Sequence, residues 1–191
     1  METEFLKLLK KRLACRAISP KPLDPAHKRA LMEAAQLSAS CMNNQPWRFL
    51  MLDEAEALEE GRSALSPGNA WARTAPLLIA GFSRSDLDCH PVDGREYYLF
   101  DLGMAVQNIL LQATELGLVA RPMAGFRPDL IRRSFRIPDD YAVVVLIAVG
   151  EPGDLDTLGE KPRAVSLAPR VRGPLENNFF HNRFAPPEDG G

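Results

Sequence analysis

The sequence predicts an α+β domain with the order α-α-β-α-β-α-β-α-β, followed by an extended tail. Three observations predict it. Four short extended runs, 47–52, 77–82, 119–126 and 142–149, alternate with helical patterns. One segment, 94–117, has no interior proline and carries a wide apolar stripe, as a central core helix does. After Gly150 the chain turns proline-rich, with few apolar clusters beyond Leu175 and Phe179-Phe180, so this tail cannot form a core of its own.

Taken in order, Thr3 caps a first helix running to about Leu13, with Leu6, Leu9 and Leu13 on one face. Asp24-Pro25 starts a second helix, since Asp caps and Pro suits the first turn. Ala30, Leu31, Ala34, Ala35 and Leu37 are its expected buried side. Pro46 directs Gln45 into extended backbone, and Trp47 anchors the first strand. Glu54 to Ser63 reads as a short exposed helix, Ser66-Pro67-Gly68-Asn69 as a turn, and Leu77 to Phe82 as the second strand. The 94–117 helix would be roughly 35 Å long. Leu99, Leu102, Ala105, Val106, Ile109, Leu110, Ala113 and Leu116 form its stripe, with Gly117 as C-terminal cap. Gly103 would admit the close approach of another backbone. Val119 to Phe126 is the third strand and Pro128 to Arg136 a short helix. Ala142 to Val149 is apolar and β-branched enough for a strand buried on both faces.

With 191 residues the chain can bury one sizeable core. A net charge of −2 offers no electrostatic footprint for nucleic acid or an acidic membrane. Cys15, Cys41 and Cys89 are odd in number and lack metal-ligand spacing, which fits a reducing compartment. The acidic N-terminus lacks a signal-peptide pattern, and no apolar run reaches bilayer length. A soluble cytoplasmic protein is the expectation. No Gly-x-Gly-x-x-Gly, phosphate-loop lysine or Gly-x-Ser-x-Gly is present, and His27, His90 and His181 are scattered.

The richest stretch is Ser38 to Phe49, dense in hydroxyl and amide groups. Asn43, Asn44 and Gln45 each offer an acceptor and two donors, enough to read a heteroaromatic edge or simply to build a polar loop. Cys41 reads as a small packing residue near a ligand, not a nucleophile. Arg12 and Arg16, four apart, suit a phosphate or polar ring edge, or the dipole of the helix they end. Arg170-Val171-Arg172 points two guanidiniums one way if extended, toward a phosphate or toward solvent. In Ala120 to Phe126, small residues and a proline let the backbone lie flat against a ligand, Gly125 removing bulk; an edge strand with a bulge is the alternative.

In this order the segments resemble the nitroreductase family of FMN-dependent oxidoreductases over nearly the whole chain. Arg12-Leu13-Ala14-Cys15-Arg16-Ala17-Ile18 is similar to the family's Arg-x-Ser-x-Arg/Lys-x-Phe opening, and the Ser38–Phe49 loop to its Ala-Pro-Ser-Ser-x-Asn-x-Gln-Pro-Trp motif. Tyr98 to Gly117, with Asp101, Gly103, Gln107 and Asn108, resembles its central helix. Pro122 to Phe126 resembles its flavin-flanking strand and Arg170 to Leu175 its phosphate-binding segment. The resemblance implies a mainly antiparallel sheet of four to five strands and a homodimer. Residues 1–150 would bind FMN, and the tail 151–191 would wrap the partner and add a strand to its sheet. Arg12, beside Leu13 and Ala14, would join Arg170 and Arg172 on the FMN phosphate, and Arg16 would face the pyrimidine edge. Ser40, Cys41, Asn43 and Gln45 would come from the other subunit. Pro122, Met123 and Gly125 would flank the ring, with Asn69 as a further contact.

Departures are Ala14 for the usual serine, Ile18 for the aromatic, Ala39 for the loop proline and Ala124 for a frequent glutamate. The short connection before the central helix leaves no room for a lid-forming helical insertion, implying an open site. The implied activity passes hydride or electrons from NAD(P)H through FMN to a small acceptor such as a nitroaromatic, quinone or flavin, by a ping-pong mechanism without a named catalytic side chain. Alternatives are a flavin destructase or dehalogenase branch, a flavin-storing dimer, and a dimer that has lost FMN.

Overall fold

The computed structural model describes residues 2–90 and 93–184. Its elements are α1 (Glu4–Lys11), α2 (Pro25–Gln36), β1 (Arg48–Leu52), α3 (Ala55–Ser63), β2 (Leu77–Ser83), α4 (Tyr97–Glu115), β3 (Val119–Met123), α5 (Pro128–Ser134), β4 (Ala142–Gly150) and α6 (Glu160–Leu167). The order matches expectation as far as β4. The strands form one open antiparallel sheet in the order β1-β2-β4-β3.

Strand alternation divides the core in two. Leu77 and Ile79 of β2, with Ile147 and Val149 of β4, pack with α2, α4 and Trp47. Leu78 and Ala80, with Leu146 and Ala148, face α3, α5 and the Trp71 segment. The two central strands are therefore covered on both faces, which explains their continuous apolar sequence. Pro122 is accommodated because β3 is an edge strand.

Thr3 Oγ1 accepts the Leu6 amide and Asp24 Oδ1 the Ala26 amide, so both caps form as expected. Gly117, at φ +72°, closes α4: its amide reaches Thr114 O, and the Leu118 amide reaches Ala113 O. That pair of bonds is the left-handed glycine stop. At 19 residues α4 spans about 28 Å, shorter than expected because it begins at Tyr97, not Gly94.

Several expectations are corrected. A Cβ on Gly103 would meet nothing within 4 Å, so no backbone of this chain approaches it. Leu37 is 84% exposed because α2 ends one residue earlier. α1 buries no residue, and its Phe5 and Leu6 stand open. α3 is not wholly exposed: Leu58 and Gly61 are buried under the sheet. The tail is partly helical, since α6 forms with Pro162 in its first turn, where proline is tolerated. Residues 185–191 of the tail lie outside the described residues.

Candidate functional site

The end of α1 feeds Arg12, Leu13 and Ala14 into a cleft of about 240 Å³, whose other walls are Arg121 of β3 and the segment from Val165 to Arg172. Arg170 crosses to α1, its guanidinium donating to Leu9 O (2.9 Å) and Lys10 O (3.1 Å). It thereby satisfies carbonyls the helix end leaves open. Arg172 donates only to its neighbour's carbonyl, Val171 O, at 2.8 Å. The Arg121 guanidinium donates to the Ala14 carbonyl and lies 5.4 Å from the Trp71 ring centre. Arg16 is steered from α6, where Ser166 Oγ accepts its amide at 3.1 Å, and its own Nε is buried without a partner.

Among the described residues none of Arg12, Arg16, Arg121, Arg170 and Arg172 enters an ion pair. Burial, then Arg170 and Arg172, hold the Arg12 guanidinium below its ordinary value. Burial and then Arg16 do the same to Arg121. Like charge is thus concentrated without an acid to balance it, which suits an anion. Sequence reasoning missed Arg121 and Ser166. The strand period placed Arg121 on one face of β3, but nothing local tied that face to residue 14.

Beside the cleft, the Ser66 and Asn69 side chains donate to Gly125 O at 2.6 and 2.8 Å, and Trp71 Nε1 donates to Asn69 Oδ1 at 3.2 Å. A Cβ on Gly125 would stand 2.7 Å from Ser66 Oγ and 2.8 Å from Asn69 Nδ2. The glycine thus makes room for this chain's own side chains, a correction to the expectation that a ligand would fill that space. Met123 is 4% exposed, its side chain packed in the core, so a ligand can meet only its backbone. Pro122 is exposed.

The amide-rich loop lies at the other sheet edge, leading into β1. Ser40 Oγ accepts the Gln45 amide, Gln45 Nε2 donates to Asn43 O, and Gln36 Nε2 donates to Gln45 Oε1. Asn44 Nδ2 donates to Asp88 O. These bonds hold Met42, Asn43 and Gln45 at φ 51°, 58° and 49°. Gln45 is therefore left-handed, not extended as Pro46 alone suggests; the bonds at both its ends outweigh the proline's preference. Among the described residues the Asn43 side-chain amide makes no hydrogen bond and is exposed.

Cys41 forms a disulfide with Cys89, their Cα atoms 5.8 Å apart. This corrects its reading as an unpaired packing residue. It also removes the cysteine argument for a reducing compartment, because only Cys15 stays free. The odd cysteine count hid a pair plus one. Below the loop, Asp101 Oδ2 accepts the Cys41 amide at 3.0 Å, while Oδ1 is buried without a partner.

The expected residues thus fall into two sets. Arg12, Leu13, Ala14, Arg170 and Arg172 share the cleft, with Arg16 beside it and Pro122, Met123, Gly125 and Asn69 on the adjoining β3 side. Ser40, Cys41, Asn43 and Gln45 belong to the β1 edge. Three strand spacings separate the edges, roughly 14 Å, and one chain does not bring the sets together. Among the described residues no helix is long and apolar enough to cross a membrane, and no cluster of metal-ligating side chains exists.

Known proteins are similar to this chain in sequence and in fold. An uncharacterized 15.4 kDa protein in the ask 5′ region of Mycolicibacterium smegmatis is 32% identical over 124 residues, covering 64% of this chain and 81% of that protein. The NADH dehydrogenase of Thermus thermophilus is 26% identical over 180 residues, 75% of this chain and 84% of its own. The crystal structure of an oxidoreductase containing FMN superposes with a TM-score of 0.85 at 29% identity, covering 94% of this chain and 92% of that one. The model of the nitroreductase family matches residues 9–67 and 61–151, which hold all four strands and helices α2 to α5. The chain belongs to the nitroreductase family.

Proposed function

We propose that this chain is a homodimeric FMN-dependent oxidoreductase that takes reducing equivalents from NAD(P)H and delivers them to a small acceptor. The observation that carries the reading is the set of five arginines without an acidic partner around the cleft. Arg12 and Arg172 would hold the phosphate, and Arg170 would do so while bracing α1. Arg16 and Arg121 would set positive charge toward the pyrimidine edge. Support for FMN in particular comes from the FMN-containing relative, and support for a nicotinamide donor from the relative named NADH dehydrogenase.

Two features favour a shared site. The cleft is smaller than the roughly 300–1,000 Å³ of a complete ligand pocket, as half of a site would be. Exposed apolar residues also accumulate on α1, at Leu37 and along the tail at Val171, Leu175, Phe179 and Phe184. A second copy would cover them, with residues 1–150 as the binding domain and 151–191 reaching across it. Ser40, Asn43 and the loop backbone would then face the partner's cleft. Among the described residues the connection between β2 and α4 carries only a short turn of helix, so the site would be open.

When bound, FMN supplies reversible two-electron chemistry between NAD(P)H and an acceptor such as a nitroaromatic, quinone or flavin. The chain's part is to fix the phosphate, present cationic donors to the pyrimidine edge and leave one face accessible. The test is a visible absorption spectrum of the purified protein, identification of any released chromophore, and NADH and NADPH oxidation with each acceptor. Stoichiometric FMN and donor turnover are expected. A colourless protein that also refuses added FMN overturns the reading.

A further inference from the structure

The Cys41–Cys89 bond joins two surface segments, the amide-rich loop and the connection that leads to α4. Both cysteines are half-buried, and neither belongs to either core cluster. Each is followed by left-handed backbone: Met42 and Asn43 after Cys41, at φ 51° and 58°, and His90 after Cys89, at φ 51°. Side chains other than glycine adopt this backbone only when surrounding bonds enforce it.

Inside the loop the Asn43 amide donates to Ser40 O and the Asn44 amide to Cys41 O, beside the Ser40–Gln45 and Gln45–Asn43 bonds, but few bonds fix the loop to its surroundings. The Cys41 amide donates to Asp101 Oδ2, the Cys89 amide to Asp88 Oδ1 and Asn44 Nδ2 to Asp88 O. Of these, only the Asn44 bond ties the loop directly to the Cys89 segment. The disulfide is the one covalent tie between them, and the remaining cysteine, Cys15, lies on the α1–α2 connection with its Sγ on Ala17 O.

We propose that Cys41–Cys89 is a reversible thiol–disulfide site, opened by dithiol reductants, whose state sets the conformation of the Ser40–Gln45 loop and thereby the affinity of the flavin site. The second half rests on the oxidoreductase reading above; the first does not. Opening begins when one thiolate of the dithiol attacks a protein sulfur. The S–S bond breaks and a mixed disulfide forms. The dithiol's second sulfur then displaces the protein sulfur and leaves as a cyclic disulfide. Two electrons and two protons pass to Cys41 and Cys89, which become thiols. A small disulfide such as oxidised glutathione supplies the reverse oxidation.

Once open, the loop keeps its hydrogen bonds but loses the covalent anchor at Cys41, so Met42 and Asn43 are held left-handed by those bonds alone. The Asn43 side-chain amide, which has no hydrogen-bond partner among the described residues, then loses its fixed direction. The switch would act on the shape of the site and leave the arginine cleft unchanged.

The experiment uses the full chain as purified, in two states. One is incubated with dithiothreitol and desalted anaerobically, the other with oxidised glutathione. Thiol titration after denaturation should count Cys15 alone in the oxidised state and all three cysteines in the reduced one. Amide hydrogen exchange over 38–47 should be faster in the reduced state, with β2 and β4 unchanged. FMN titration should show at least about fivefold weaker binding on reduction, restored by reoxidation. A C41S/C89S variant should match reduced protein and ignore the oxidant; should it fold poorly, reduced wild type answers alone. Three free thiols after oxidant treatment, or equal loop exchange in both states, overturns the proposal. Equal FMN affinity with unequal exchange overturns its second half. If FMN binds neither state, the oxidoreductase reading fails, while the thiol count and exchange still decide the switch.

Discussion

The arginine cleft and the amide loop are built on opposite principles. In the cleft, donors face one another without acids, and only Arg170 and Arg121 have more than a trivial in-chain acceptor. In the loop, nearly every polar group is engaged: Ser40, Asn44 and Gln45 with in-chain partners, and Cys41 through sulfur and amide. A region whose donors are left open contributes affinity. A region whose polar groups are closed on themselves contributes shape. Carrying both kinds, one at each sheet edge, suits a site completed by two chains.

The comparison breaks first at the cleft. Replacing Arg12 and Arg172 together by alanine removes two charged donors, about 1.5–3 kcal/mol each. FMN affinity by fluorescence titration should fall at least about a hundredfold. The melting temperature of the apoprotein should hold or rise, because mutual repulsion is relieved. A large loss of apoprotein stability with unchanged affinity would make the pair structural. Arg170→Ala is the informative contrast, since it should cost stability as well by freeing the carbonyls of Leu9 and Lys10.

The β3 side of the cleft comes next. Gly125→Ala places a Cβ against Ser66 Oγ and Asn69 Nδ2, at an overpacking cost of about 1–3 kcal/mol, readable in urea unfolding. The adjoining Trp71 and Arg121 should shift with it, seen as altered Trp fluorescence. Unaltered stability would mean the side chains rotate away freely.

A smaller effect probes the loop. Asn43→Gly retains the left-handed backbone without strain and deletes only the side-chain amide. FMN binding should weaken by about 1 kcal/mol, measured beside the Arg12/Arg172 variant. A loss as large as the arginine variant's would show that the loop, too, supplies affinity.

How much of this was legible in the sequence follows from where the signals come from. Apolar periodicity located every strand and the helices against the sheet, because burial writes its period into Leu77–Ser83, Ala142–Gly150 and Tyr97–Glu115. Thr3, Asp24-Pro25 and Gly117 marked helix ends because each satisfies a specific orphaned backbone group. α6 was missed because none of its residues is buried, so it has no core-facing stripe to read. Leu37 misled because the apolar period runs one residue past Gln36, where α2 ends. In the site, the resemblance singled out Arg12, Arg170 and Arg172, which the fold gathers in one cleft. Arg121, Ser166 and Cys89 were invisible: their partners, at Ala14, Arg16 and Cys41, are long-range and carry no local pattern.

The smallest expected effect lies beneath the loop. Burial holds the Asp101 carboxyl above its ordinary value; the Cys41 amide pulls it down and Asp88 pushes it up again. In the unfolded chain the same carboxyl titrates at about 3.9. Between the two values the folded protein binds a proton that the unfolded chain has released. Asp101 therefore contributes stability that is full below the unfolded value and is lost as pH rises through the folded one. Above both values the burial of this carboxyl opposes folding. Asp101→Asn keeps an oxygen to accept the Cys41 amide and carries no charge, so urea unfolding from acid to neutral pH should lose this falling component. At neutral pH the variant should be at least as stable as wild type, with FMN affinity nearly unchanged. An unaltered pH profile would place the titration elsewhere, and a marked loss at neutral pH would make the carboxylate's charge itself a support of the loop.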